Sequence, residues 1–128
     1  MPQVVVLVAD PDTALAADVS GALTARGVAV TSCRTGAEAL VQAGRLAPDA
    51  VLLAASLPDI DAAEVVKAVH QVLPAPVLLG AGPADADAAV RALTAGAAAV
   101  VARPYRTSEL LPYLDAVRSE NPKGRLRF

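Results

Sequence analysis

The segment 51-VLLAASLPDID-61 starts as a buried strand, with apolar residues in succession, and then runs into a loop carrying Asp59 and Asp61. Where strand becomes loop stand Ala54, Ala55 and Ser56. In an α/β protein the tip of such a strand is where chemistry is usually placed. Methyl groups at that tip therefore set the question of what the site does.

The same pattern extends outward on both sides: short Val- and Leu-rich runs alternate with longer segments whose apolar residues recur three and four apart. That alternation indicates a parallel sheet with crossover helices. Upstream, residues 4–9 predict a strand, and Thr13 predicts the cap of a helix with Leu15, Val19 and Leu23 inward before Gly27 ends it. Residues 28–33 predict the second strand and 36–44 a short helix with Ala39, Leu40 and Ala43 on its apolar side, and Pro48-Asp49 marks a turn. Residues 50–53 are the third strand, followed by a helix over 62–73 that buries Val65, Val66 and Val69, with Asp61 as its N-cap.

Downstream, Pro74 and Pro76 bracket the entry to a strand over 77–80, and an Ala-rich helix ends near Gly96. A last strand over 99–102, the punctuation Arg103-Pro104-Tyr105 and a helix over 108–118 complete the series. That helix turns Leu110, Leu111, Leu114 and Val117 inward and is started by Thr107 or Ser108 paired with Glu109. About five βα units of this length make a flavodoxin-like doubly wound parallel sheet, order 2-1-3-4-5, with helices on both faces and right-handed crossovers. Residues 1–119 form one domain, and 120–128 a tail or the start of a linker.

Composition narrows the function classes. The 128 residues suffice for one ordinary domain, 55% of them are hydrophobic and 19% charged, and the net charge of −2 lacks the basic excess of a nucleic-acid binder. Only 2% are aromatic and Trp is absent, so base stacking is disfavoured and the core must be Val, Leu and Ala. The single cysteine, Cys33, excludes an internal disulfide and reads as a small buried apolar residue. The opening MPQVVVLVAD lacks the basic region of a signal peptide, and no stretch approaches the ~18 apolar residues of a membrane helix, so a cytoplasmic location is expected. Only 119–128, with Lys123, Arg125 and Arg127, departs from the pattern; it reads as a solvated tail or linker, the alternative being a basic arm for phosphate or a partner.

In the predicted fold any site lies at the ends of strands one and three, at residues 9–12 and 54–56, flanked by 80–82 and 102–104. Asp10-Pro11-Asp12 could offer two carboxylates to a divalent cation, but Ala54 and Ala81 add no oxygen, and Mg²⁺ wants more. Asp59 and Asp61 read as turn and N-cap residues. His70, the only histidine, falls on the third helix as a surface residue, so no nucleophilic triad converges. The ADPDTA loop has no glycine with which to cradle a phosphate.

With its pieces placed in this way, the chain resembles a response-regulator receiver domain over residues 4–118. The resemblance is carried by VLVADPD at strand one, PDAVLLAASLPDIDAAEVV around strand three, PAPVLLGAG at strand four and ALTAGAAAVVARPY through strand five, in matching order and spacing. It implies an aspartate phosphoacceptor at the end of strand three, an acidic pair after strand one for Mg²⁺, a hydroxyl after strand four, and a lysine before a proline after strand five. Here those positions hold Ala54, Asp10 with Pro11, Ala81, and Arg103 before Pro104, with Asp12 in a less critical third acidic place. The aromatic switch position is Val100. The resemblance also implies a cis peptide between Arg103 and Pro104, which X–Pro bonds tolerate at modest cost.

The expected activity is therefore not enzymatic, with no cofactor and no metal: a pseudo-receiver, a phosphorylation-independent signalling and interaction module. Arg103, always charged, is expected to close the emptied pocket with a bidentate ion pair to the acids at 10 and 12. The resemblance places the partner surface, for another protein or a second copy, on the fourth helix, fifth strand and fifth helix, with Arg91, Val100, Arg106 and Tyr113; no membrane or direct nucleic-acid contact is expected. Alternatives are a small-ligand sensor using the vacated pocket, the N-terminal regulatory domain of a longer transcriptional regulator, and a phosphoacceptor at Ser56 or Asp59.

Overall fold

Leu7, Leu53 and Leu79 turn to one face of a single sheet while Val8, Leu52, Leu78 and Val101 turn to the other, and every one of them is buried. This is why the central strands read as unbroken apolar runs: both faces of a parallel sheet are covered there. The computed structural model describes residues 3–120. Its five parallel strands, β1 (Val5–Ala9), β2 (Ala29–Cys33), β3 (Ala50–Ala54), β4 (Val77–Ala81) and β5 (Ala99–Ala102), run in the order β2-β1-β3-β4-β5. The expected flavodoxin-like doubly wound order is the observed one.

Between the strands lie α1 (Thr13–Thr24), α2 (Gly36–Leu46), α3 (Ala62–Val72) and α4 (Ala86–Ala95), with α5 (Thr107–Glu120) after the last. A short 3₁₀ turn, Pro83–Asp85, leads into α4. On one face α1 and α5 place Ala16, Val19, Leu23, Leu110 and Leu114 over Val6, Val8, Leu52 and Leu78. On the other, α2, α3 and α4 place Ala39, Ala43, Val65, Val66, Val69 and Ala92 over Leu7, Val51, Leu53 and Leu79. Each Val or Leu fully removed from water stabilises the fold by about 1.5–3 kcal/mol, offset by the conformational entropy of ordering it.

Several local expectations are corrected. Asp12, not Thr13, caps α1: its carboxylate accepts from the amides of Ala14 and Leu15, and Thr13 is already helical. Asp61 holds the N-cap position of α3 but makes no side-chain cap, because its carboxylate is drawn to Arg91 on α4, 3.2 Å away. Asp59 caps instead, across the chain: it accepts from the Gly36 and Ala37 amides at 2.8 and 3.0 Å, at the start of α2. Glu109 does not close a box with Thr107 or Ser108; its Oε1 accepts from the Ala102 amide at 2.9 Å and ties the first turn of α5 to β5.

Gly96 ends α4 in the left-handed region, φ 117°, as its place after the apolar series requires. Among the described residues no helix is long and apolar enough to cross a membrane. The basic residues Lys123, Arg125 and Arg127 lie outside the described residues.

Candidate functional site

Asp10 follows β1 directly and is the only charged residue among the described ones to be fully buried. Its carboxylate is met by four donors. Arg103 gives two, Nε to Oδ2 at 2.9 Å and Nη2 to Oδ1 at 2.7 Å. The Tyr105 hydroxyl donates to Oδ2 at 2.7 Å, and the Asp12 amide to Oδ1 at 2.8 Å. A carboxylate has about four lone-pair positions, so this one is saturated by its own chain.

The charges follow from that geometry. Burial pushes the Asp10 carboxyl up, but the bonds from Arg103, Tyr105 and the Asp12 amide outweigh it and hold the group below its ordinary value. The Arg103 guanidinium is held protonated above its usual range, first by its hydrogen bonds to Asp10. Burial, and then the bond to Asp10, push the Tyr105 phenol well above its usual value, so it stays a neutral donor.

Around this cluster the walls are small. Ala54 and Gly80 are register partners on β3 and β4, and Ala54 is wholly buried. The Tyr105 ring lies over Gly80, packed against the face that carries α1 and α5. Arg103–Pro104 is a cis peptide, as the resemblance implied. Ala81 ends β4 and pairs with Ala102, and Pro11 contributes no side-chain oxygen. Sequence reasoning foresaw Asp10 and Arg103 together but was wrong to add Asp12, whose carboxylate is turned to the α1 amides.

It missed Tyr105, which lies one residue past the flanking segment 102–104, and gave Gly80, within the flanking segment 80–82, no role. A glycine inside a strand, which often marks a close backbone approach, was the available signal for the second.

The resemblance implies a divalent cation beside Asp10. A divalent metal needs several oxygens, carboxylates above all, and here Asp10 has no free acceptor while the side chains of Pro11 and Ala54 offer none. The residues present do not fit it. Among the described residues no group of three or more His, Cys, Asp or Glu is gathered that could hold a metal. The Tyr105 ring occupies the space over Gly80, beside Ala54 at the end of β3.

The other singled-out residues fall elsewhere. The Ser56 hydroxyl donates to Asp85 Oδ1 at 2.9 Å, and Asp85 also accepts from the Gly82 amide at 2.8 Å. Cys33 is buried at the end of β2, its thiol pushed up to about 11 by burial and by Glu38. His70 lies on α3 with Nε2 3.1 Å from the Ala75 carbonyl. On the expected partner face Val100, Arg106 and Tyr113 are exposed, but Arg91 does not stand free there, being paired with Asp61.

The sheet order β2-β1-β3-β4-β5 defines a flavodoxin-like domain, with the Asp10 cluster at its topological switch point. The chain belongs to the response regulator receiver family: the model of the response regulator receiver domain matches residues 6–115. It is 37% identical over 99 residues to the transcriptional regulatory protein KdpE of Mycobacterium tuberculosis, covering 77% of this chain and 44% of that protein. To the probable transcriptional regulatory protein TcrX of the same species it is 34% identical over 115 residues, covering 89% and 49%. The chain thus spans about half the length of these curated relatives. Among solved structures, the signal receiver domain of the putative response regulator NarL from Mycobacterium tuberculosis superposes with a TM-score of 0.77 at 31% identity, over 98% of this chain and 100% of that one. A putative response regulator from Chloroflexus aurantiacus J-10-fl gives 0.81 at 28% identity, over 92% and 99%.

Proposed function

We propose that this receiver-family domain is a phosphorylation-independent interaction module, a pseudo-receiver. One observation carries the reading: Asp10, the one carboxylate buried among the described residues, is saturated by Arg103, Tyr105 and the Asp12 amide, at the switch point that also holds an alanine at the end of β3. With no nucleophile at 54 there is nothing to form an acyl phosphate. Val90 and Leu93 on α4, Val100 on β5 and Tyr113 on α5 are large apolar side chains left exposed on neighbouring elements, which supports a protein-binding surface there. The relatives named above are transcriptional regulatory proteins about twice as long, which favours an output in transcription through a protein partner or a second copy.

Incubation with acetyl phosphate and Mg²⁺ followed by intact-mass measurement tests the first half; the mass should not change, and a stable adduct on Ser56 or Asp59 would overturn it. The second half is tested by sedimentation and by capture of native-cell partners, comparing wild type with a Val100→Glu, Tyr113→Ala variant. Equal self-association and equal capture by the two would remove the proposed face.

A further inference from the structure

Gly80 lies inside β4, and the backbone does not explain it: among the described residues positive φ is adopted by Gly27, Gly96 and Ala47, not by Gly80. Its neighbour explains it. A Cβ built at 80 would stand 2.7 Å from the Tyr105 hydroxyl oxygen and 2.9 Å from Cζ, and closer still to Cε1. Nonbonded carbons rest at ~3.5–4.0 Å. A side chain at 80 and the Tyr105 ring in its present seat therefore exclude one another.

The seated ring sits in the middle of a chain of contacts. Its hydroxyl meets Asp10 on one side, and Arg103, two residues earlier, grips the same carboxylate. Just before Arg103, the Ala102 amide is held by Glu109 from α5. Tyr105 also borders a groove of about 150 Å³ lined by Leu15, Asp18, Val19, Pro104 and Thr107.

We propose that Gly80 and Tyr105 form a socket and latch. The seated ring holds the turn at residues 103–107 closed over Asp10 and thereby fixes the start of α5, and the groove beside α1 is where the ring goes when the socket is filled. The domain carries an occupied state of its switch point in its own sequence, set by what residue 80 leaves room for. This does not depend on which partner the domain binds.

A double-mutant cycle tests it: wild type, Gly80→Val, Tyr105→Ala and the double variant, followed by thermal unfolding and by hydrogen exchange at the turn's bonded amides, Ala102, which donates to Glu109, and Arg103, which donates to the Ala81 carbonyl. In the wild-type background Gly80→Val should lower Tm by about 5 °C or more and speed exchange in the turn. With Tyr105 already removed, the same valine should be neutral or raise Tm, because a β-branched residue suits a strand interior once the ring is gone. Tyr105→Phe, which keeps the ring and loses only the hydroxyl, should leave the turn protected. Should Gly80→Val not yield folded protein, Gly80→Ala, which adds the clashing Cβ alone, replaces it in the same cycle. An equal Tm loss in both backgrounds, or turn exchange unchanged in Tyr105→Ala, would overturn the latch.

Discussion

Arg103 and Asp10, ninety-three residues apart in the chain, meet in a two-pronged ion pair of 2.7 and 2.9 Å that joins the end of the first strand to the turn after the last. The acid is fully buried and the guanidinium mostly so. Pairs of this kind are costly to form but more costly to break on one side, because a charge is then left buried without a partner.

Replacing Arg103 with alanine should therefore lower stability by about 3–5 kcal/mol. Lysine should recover only part of this, since an ammonium is a point charge and cannot reproduce the planar fork that grips both oxygens. Urea unfolding of the three proteins measures it. A loss under about 1 kcal/mol, the scale of an exposed pair, would mean that the carboxylate finds solvent when Arg103 is gone.

The pair also sets an acid limit. The carboxyl of Asp10 lies below its ordinary value when folded, so its contribution is complete above the unfolded carboxylate pKa of ~3.9 and is lost as pH falls through the lower folded value. Wild-type Tm should be flat from about pH 7 to 5 and fall below about pH 4. An Asp10→Asn variant should start lower and fall less steeply, keeping the slope due to Asp59, which the Ala37 and Gly36 amides also hold below its usual value. Parallel profiles for the two proteins would show that Asp10 is not the group that titrates.

Ala47 closes α2 with φ 46° and ψ 61°, a left-handed conformation that glycine adopts freely and alanine does not. Ala47→Gly should raise stability by up to about 1 kcal/mol, the left-handed penalty less the added freedom of the unfolded chain. The check is the midpoint of a urea transition, and a lower midpoint would refute it.

Strands and helices were legible in the sequence because their signals are local. Residues 77–80 between Pro76 and Gly82, or Leu110 and Leu114 four apart, announce their elements without reference to anything distant. Pro112 inside α5 removes a helical donor, yet the helix continues through it, since burial of Leu110 and Leu114 on the sheet outweighs the lost bond.

What was misread depends on partners far along the chain. Asp61 looks like a cap until Arg91 competes for it, and Asp59 looks like a turn residue until the start of α2 is brought beside it, 23 residues away. Tyr105 passed for punctuation after a proline, because nothing near it in sequence shows that a strand glycine 25 residues earlier clears a place for its ring. The Arg103 contact was readable because charge complementarity at one strand end leaves few candidates. Its restriction to Asp10 was not, since the pull of the α1 amides on Asp12 belongs to the helix terminus.

The bond between residues 10 and 103 carries a consequence for biosynthesis. Asp10 leaves the ribosome early and folds into place with β1, but three of the four donors that neutralise it belong to residues 103 and 105. Without residues 103 and 105 a buried Asp10 would lack three of its four partners and carry the cost of an uncompensated charge. The last turn of the domain thus supplies most of what the end of its first strand needs.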